Sequence, residues 1–112
     1  MMKLCVVLFV FVTIFGGAVM ALDVSKGAEN MVLHGGRFGD VPFAHQRHHT
    51  AVGNCNACHN LFPKAKDSIS QLKAKGKLRS REVMGQCTAC HFEKSKNGQK
   101  TGPTSCGGCH KK

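Results

Sequence analysis

Six cysteines and three histidines repeat one pattern. They read Cys55-Asn-Ala-Cys58-His59, Cys87-Thr-Ala-Cys90-His91 and Cys106-Gly-Gly-Cys109-His110. Each is C-x-x-C-H, the attachment signal for c-type haem. The spacing has a mechanical reason. Two thiols add across the two vinyl groups of one porphyrin, and two intervening residues bring both sulfurs to one side of a short helical turn. The next residue, His, then points its imidazole at the iron from the same face. With seven Cys and seven His in 112 residues, chance supplies roughly 0.03 such matches, against the three present.

Other uses of these residues fit less well. Paired C-x-x-C units also hold zinc, and a basic chain suits nucleic acid. Zinc leaves the His after every second Cys unexplained, and the chain has no Trp or Tyr to stack on bases. Structural disulfides do not require three trailing histidines. A thioredoxin-type motif needs a βαβ setting that this chain is too short to repeat.

Three haems with proximal ligands His59, His91 and His110 need three further axial ligands. The spare candidates are His34, His45, His48, His49, Met31 and Met84. His45 and His48 lie three apart in Phe43-Ala-His-Gln-Arg-His-His49. On a helical turn they share a face but diverge, so they can reach two different irons.

The composition points the same way. Lys3, the apolar run Leu4–Ile14 and the small-residue site ending at Ala21 have the pattern of a secretory signal peptide. Its removal takes residues 1–21 and leaves a domain of residues 22–112, 91 residues with a formal charge of +9. Only 15 of these are Leu, Ile, Val or Phe, about 16%, a fraction that with high charge marks a chain unable to build its own core. A chain this short needs a staple in any case. The haems are therefore expected to form the core. Cys5 leaves with the signal.

The elements that must position the motifs are mostly helix and loop. A short N-terminal hairpin pairs Met31–His34 with Val41–Phe43 through a glycine-rich turn. Within the long connection from Asn60 to Gln86, a helix has Asp67 as N-cap, Ile69 and Leu72 on its buried face and Gly76 as its stop. Ser80 is placed to cap a second helix leading into Cys87. Glu93–Ser105 reads as a loop with a short helical start.

Four stretches together resemble the triheme cytochrome c7 group of the class III multihaem cytochromes. They are Asn30–Phe43 as the N-terminal hairpin, Phe43–His48 as the distal-histidine segment, the three C-x-x-C-H motifs in order, and the stop at His110-Lys-Lys112. The resemblance implies that His45 completes the first haem (Cys55, Cys58, His59) and His48 the second (Cys87, Cys90, His91). The third (Cys106, Cys109, His110) takes, in that family, a His just before the second motif. Here the sequence reads Glu82-Val-Met84-Gly-Gln-Cys87, with Met in place of that His and one residue closer to the Cys. Met84 is therefore the candidate sixth ligand of the third iron, with His49, His34 or an open site as alternatives. A thioether there raises the potential relative to two imidazoles.

The expected function is periplasmic electron transfer, carried by a monomer and not an enzyme. Electrons would pass between other redox proteins, with quinol-linked inner-membrane and outer-membrane cytochromes as partners. Neither nucleic acid nor stable membrane insertion after signal cleavage is expected. The competing class is a small haem enzyme of nitrite reductase or peroxidase type, which needs an open third iron. Three haems bring six propionates, lowering the charge to about +3 when ferrous, so many lysines pair locally. Lys94, Lys96, Lys100, Lys111 and Lys112 are expected to surround the third haem as a docking face for acidic partners.

Overall fold

The computed structural model describes residues 26–112. The signal segment expected over residues 1–21 lies outside them. Among the described residues no helix is long and apolar enough to cross a membrane.

The chain opens with a two-stranded antiparallel sheet, β1 (Met31–Leu33) and β2 (Val41–Phe43), one residue shorter at β1 than the sequence suggests. Its register sets Met31 opposite Phe43, Val32 opposite Pro42 and Leu33 opposite Val41. Pro42 lacks an N–H, which a two-stranded edge tolerates. The connection contains a 3₁₀ turn, Gly36–Phe38, and ends at Gly39 with φ 93° and ψ 163°, a region open in practice only to glycine. Asp40 forms an isolated bridge with Lys111, and the Lys111 N–H donates to the Asp40 carbonyl at 2.8 Å. The hairpin loop thereby clasps the C-terminal end of the chain.

Five helices follow: α1 (His45–Val52), α2 (Asn56–His59), α3 (Ser68–Ala74), α4 (Ser80–Lys96) and α5 (Cys106–Cys109). Helix α1 ends at Gly53 in the left-handed conformation, whose N–H donates to the His49 carbonyl, a glycine stop. Helix α3 starts after Asp67, as expected, but Asp67 is itself left-handed (φ 54°) and its side chain makes no capping bond. Ile69 and Leu72 are half-buried, and Gly76 (φ 66°) ends the segment.

Helix α4 corrects the expected cap. Arg79, not Ser80, occupies the N-cap position, with extended backbone. The Glu82 carboxylate accepts from the Arg79 N–H at 2.6 Å, the carboxylate half of a capping box. Ser80 sits one position inside. The helix then runs through the whole second motif to Lys96, so that motif lies mid-helix, whereas the first and third sit on four-residue helices.

No side-chain core holds these helices together. Among the described residues only Leu78 is a buried hydrophobic, 4% exposed. The helices line a continuous cleft of about 1810 Å³. Single-ligand pockets occupy about 300–1,000 Å³, so this volume suits more than one large group. The apolar interior that the composition lacks is the space between the helices.

Candidate functional site

The first motif closes on itself through the helical turn its spacing predicts. The His59 N–H donates to the Cys55 carbonyl at 2.9 Å, and the His110 N–H does the same to Cys106 at 2.8 Å. All six motif cysteines line the cleft and none is paired in a disulfide. Burial pushes the Cys58 and Cys87 thiols above the ordinary range. Nearby Cys90 adds to the shift at Cys58, and nearby Cys58, Cys109 and Cys90 add at Cys87.

Five histidines share a second feature. Each Nδ1 lies within hydrogen-bond distance of a backbone carbonyl: His45 of Ala28 (3.0 Å), His48 of Ala44 (2.9 Å), His59 of Phe62 (2.7 Å), His91 of Pro103 (2.7 Å) and His110 of Gly39 (2.8 Å). A carbonyl only accepts, so Nδ1 carries the proton and Nε2 keeps its lone pair. Such a bond fixes tautomer and ring orientation in metal-ligating imidazoles. The five are the three motif histidines with His45 and His48. His34 instead lies 3.5 Å from the Asp40 carboxylate through its Nδ1.

These imidazoles meet in pairs. His45 and His59 have ring centres 6.2 Å apart at 71°, and His48 and His91 have centres 6.0 Å apart at 33°. Two imidazoles bound to one metal through Nε2, at a metal–nitrogen distance of roughly 2 Å, hold their centres roughly 6 Å apart. The pairs therefore have the spacing of two axial ligands. Phe43 packs 4.3 Å from His48 and 6.2 Å from His45, a ring wedged between the two.

The third motif differs. The aromatic partner of His110 is Phe38, 6.1 Å away and tilted 57°, and a phenyl ring has no lone pair to offer. Met84 lines the same cleft from the start of α4 and is 47% exposed. His34 and His49 also line the cleft.

Several positioning groups have no side-chain signature in the sequence. The acceptors for the five imidazoles are backbone carbonyls. Gly39 must be glycine for its φ, and an added Cβ there would strike the Lys111 carbonyl. At Gly102 a Cβ would lie 2.6 Å from the His91 ring. Gln86 donates through Nε2 to the Ala57 carbonyl at 2.8 Å, tying the start of the second motif to the interior of the first. Polar character beside Cys87 was the only hint of it.

The cleft, the thiols and the fixed imidazoles fit haem c. The residues placed to hold it are Cys55, Cys58, Cys87, Cys90, Cys106 and Cys109 for the porphyrins and the paired imidazoles for the irons.

Comparison with known proteins agrees. The family described as cytochrome c7 and related cytochrome c matches residues 41–111. A cytochrome c7 from Geobacter metallireducens is 39% identical over 74 residues, 66% of this chain and 67% of that protein. A cytochrome c3 from Desulfuromonas acetoxidans is 37% identical over 81 residues, 72% of this chain and 96% of that protein. The solution structure of the triheme cytochrome PpcA from Geobacter sulfurreducens superposes with a TM-score of 0.54 at 34% identity, covering 76% of this chain and all of that one. The chain belongs to the cytochrome c7 family, and is a multihaem c-type cytochrome of electron transfer.

Proposed function

We propose that this protein is a periplasmic electron carrier with three covalently held haems, one on each C-x-x-C-H motif. When bound, haem c supplies one-electron Fe(III)/Fe(II) chemistry. The polypeptide's part is to hold the groups close, fix their axial ligands and keep them from being lost outside the cytoplasm. His45 with His59 serves the first iron and His48 with His91 the second. His110 would serve the third together with Met84, which lines the same cleft. The observation that carries the reading is the set of five imidazoles with Nδ1 engaged and Nε2 unengaged, four of them in pairs about 6 Å apart.

Met84 is favoured over His34 and His49 because neither of those rings has the backbone-carbonyl bond that the other five share. Residues 1–21 direct export, and residues 22–112 make the working domain. The partners are other redox proteins, quinol-linked at the inner membrane and haem proteins at the outer membrane. With every iron held by two side chains no position is left for substrate, so the protein works as a monomeric carrier without catalysis of its own.

A second reading rests on the lack of an imidazole paired with His110: an open third iron would make a small haem enzyme of nitrite reductase or peroxidase type. A potentiometric titration followed by visible spectroscopy decides. The carrier reading expects three one-electron steps, all low-spin, and no Soret shift with carbon monoxide or cyanide. A high-spin component that binds carbon monoxide in the native protein overturns it in favour of the enzyme.

A further inference from the structure

The cleft sorts the cations into two sets. Lys26, Arg37, Arg47, Lys64, Lys66, Lys73, Lys94 and Lys100 line it, where propionates need partners. The remaining seven described cations do not line it, and four of them alternate along one short stretch: Lys75, Lys77, Arg79 and Arg81. This divides the docking face expected from the sequence. Lys94 and Lys100 belong to the cleft, while Lys111 turns its Nζ to the Gly107 carbonyl at 2.8 Å.

The 75–81 stretch is a built platform. Leu78, the one buried hydrophobic among the described residues, anchors it from beneath. The Lys77 N–H donates to the Leu72 carbonyl at 2.9 Å, and the Glu82 carboxylate holds the Arg79 N–H. All four cations are exposed. Arg79 has Glu82 4.0 Å away; Lys75, Lys77 and Arg81 have no ion-pair partner among the described residues. From Ser68 to Arg81 there is no acidic residue. Ser80 within the stretch lines the cleft, as do Lys73 before it and Val83 and Met84 after it.

We infer that Lys75, Lys77 and Arg81, on the α3–α4 connection, form the docking surface for the carboxylate-rich face of a redox partner. Uncompensated cations on a rigid mount attract and orient an acidic face over a long range. A partner seated there lies next along the chain to Val83 and Met84, which line the cleft. A protein face is favoured over an anionic membrane because the stretch exposes no large apolar side chain to insert: Leu78 is buried. The inference rests on the electron-transfer reading.

The test uses the haem-loaded protein and octaglutamate as the acidic probe, followed by NMR at low ionic strength. Two triple variants carry the same change of net charge: K75E/K77E/R81E and K96E/K111E/K112E. The expected result is shifts centred on residues 73–83, affinity reduced about tenfold in the first variant and far less in the second, and convergence at high salt. Equal loss in both variants overturns the inference, since the whole-molecule charge would then suffice. So does binding to phosphatidylglycerol vesicles that depends on these three residues while octaglutamate binding does not. Reduction by dithionite and reoxidation by ferricyanide separate the two readings, because a redox-inert protein would instead sink the electron-transfer reading itself.

Discussion

The imidazoles of His48 and His91 face each other with ring centres 6.0 Å apart and planes at 33°, although one comes from α1 and the other from the middle of α4. Neither helix buries a hydrophobic residue, so little side-chain packing holds the two rings in opposition. Backbone carbonyls aim them instead: the Ala44 carbonyl accepts from the His48 Nδ1–H and the Pro103 carbonyl from that of His91. The two rings stand at the spacing of two imidazoles on one iron.

Replacing His48 with alanine therefore leaves the second iron with one protein ligand. The expected outcome is one high-spin haem per chain, which binds one equivalent of carbon monoxide, with the other two unchanged. Visible and electron paramagnetic resonance spectra read this directly. An unchanged low-spin spectrum would remove His48 from the ligand set.

Met84 makes a separate prediction. The wild-type ferric protein should show a weak far-red charge-transfer band of thioether-to-iron origin. Met84→Ala should abolish it, and Met84→His should lower the potential of one haem while leaving two in place, since two imidazoles give a lower potential than His–Met. A band that survives Met84→Ala would pass the role to another residue.

Gly39 tests the clasp on the third motif. It holds a backbone region almost closed to other residues, its carbonyl accepts from His110, and an added Cβ would meet Lys111. Gly39→Ala should cost about 1–3 kcal/mol in strain, lowering the melting temperature by about 4–8 °C for each kcal/mol in a domain of this size. The spectral change should be confined to the third haem. The same substitution at Gly53, which meets nothing within 4 Å, supplies the comparison, with strain but no loss at His110.

Gln86 links the first two motifs. Gln86→Ala removes the 2.8 Å bond to Ala57 and should cost about 0.5–1.5 kcal/mol in thermal unfolding. Any change in potential should fall on the first and second haems alone. A shift at the third would show that the bond is not local.

Much of this was legible in the residues. The three motifs announce their chemistry because attachment needs two thiols and an imidazole within five positions, and His45 and His48 stand out because three irons with two axial positions each call for more ligands than three motif histidines supply. The shortage of Leu, Ile, Val and Phe foretold a structure in which Leu78 alone is buried among the hydrophobic side chains of the described residues. What the sequence hid is what backbone does. Carbonyls of Phe62, Pro103 and Gly39 orient the motif imidazoles, and a carbonyl looks the same in every residue. The Ser80 cap was misplaced by one because Glu82 reaches the Arg79 N–H, a choice between two neighbouring start points that local propensity leaves nearly equal. The division of the cations also depends on which side of the chain faces the cleft, which spacing alone does not give.

Folding should follow from the same point. A form with the six motif cysteines changed to serine should show no cooperative melting and poorly dispersed amide resonances, because Leu78, the one buried apolar residue among those described, cannot offset the entropy of ordering. A compact, cooperatively melting form without haem would contradict this.

The most direct measurement is the intact mass of the exported, pigmented protein, with iron counted on the same sample. The account predicts a polypeptide beginning after Ala21, carrying three haem masses and three irons, with none of the six motif thiols open to alkylation. Fewer than three adducts, or any alkylated cysteine among Cys55, Cys58, Cys87, Cys90, Cys106 and Cys109, would contradict it.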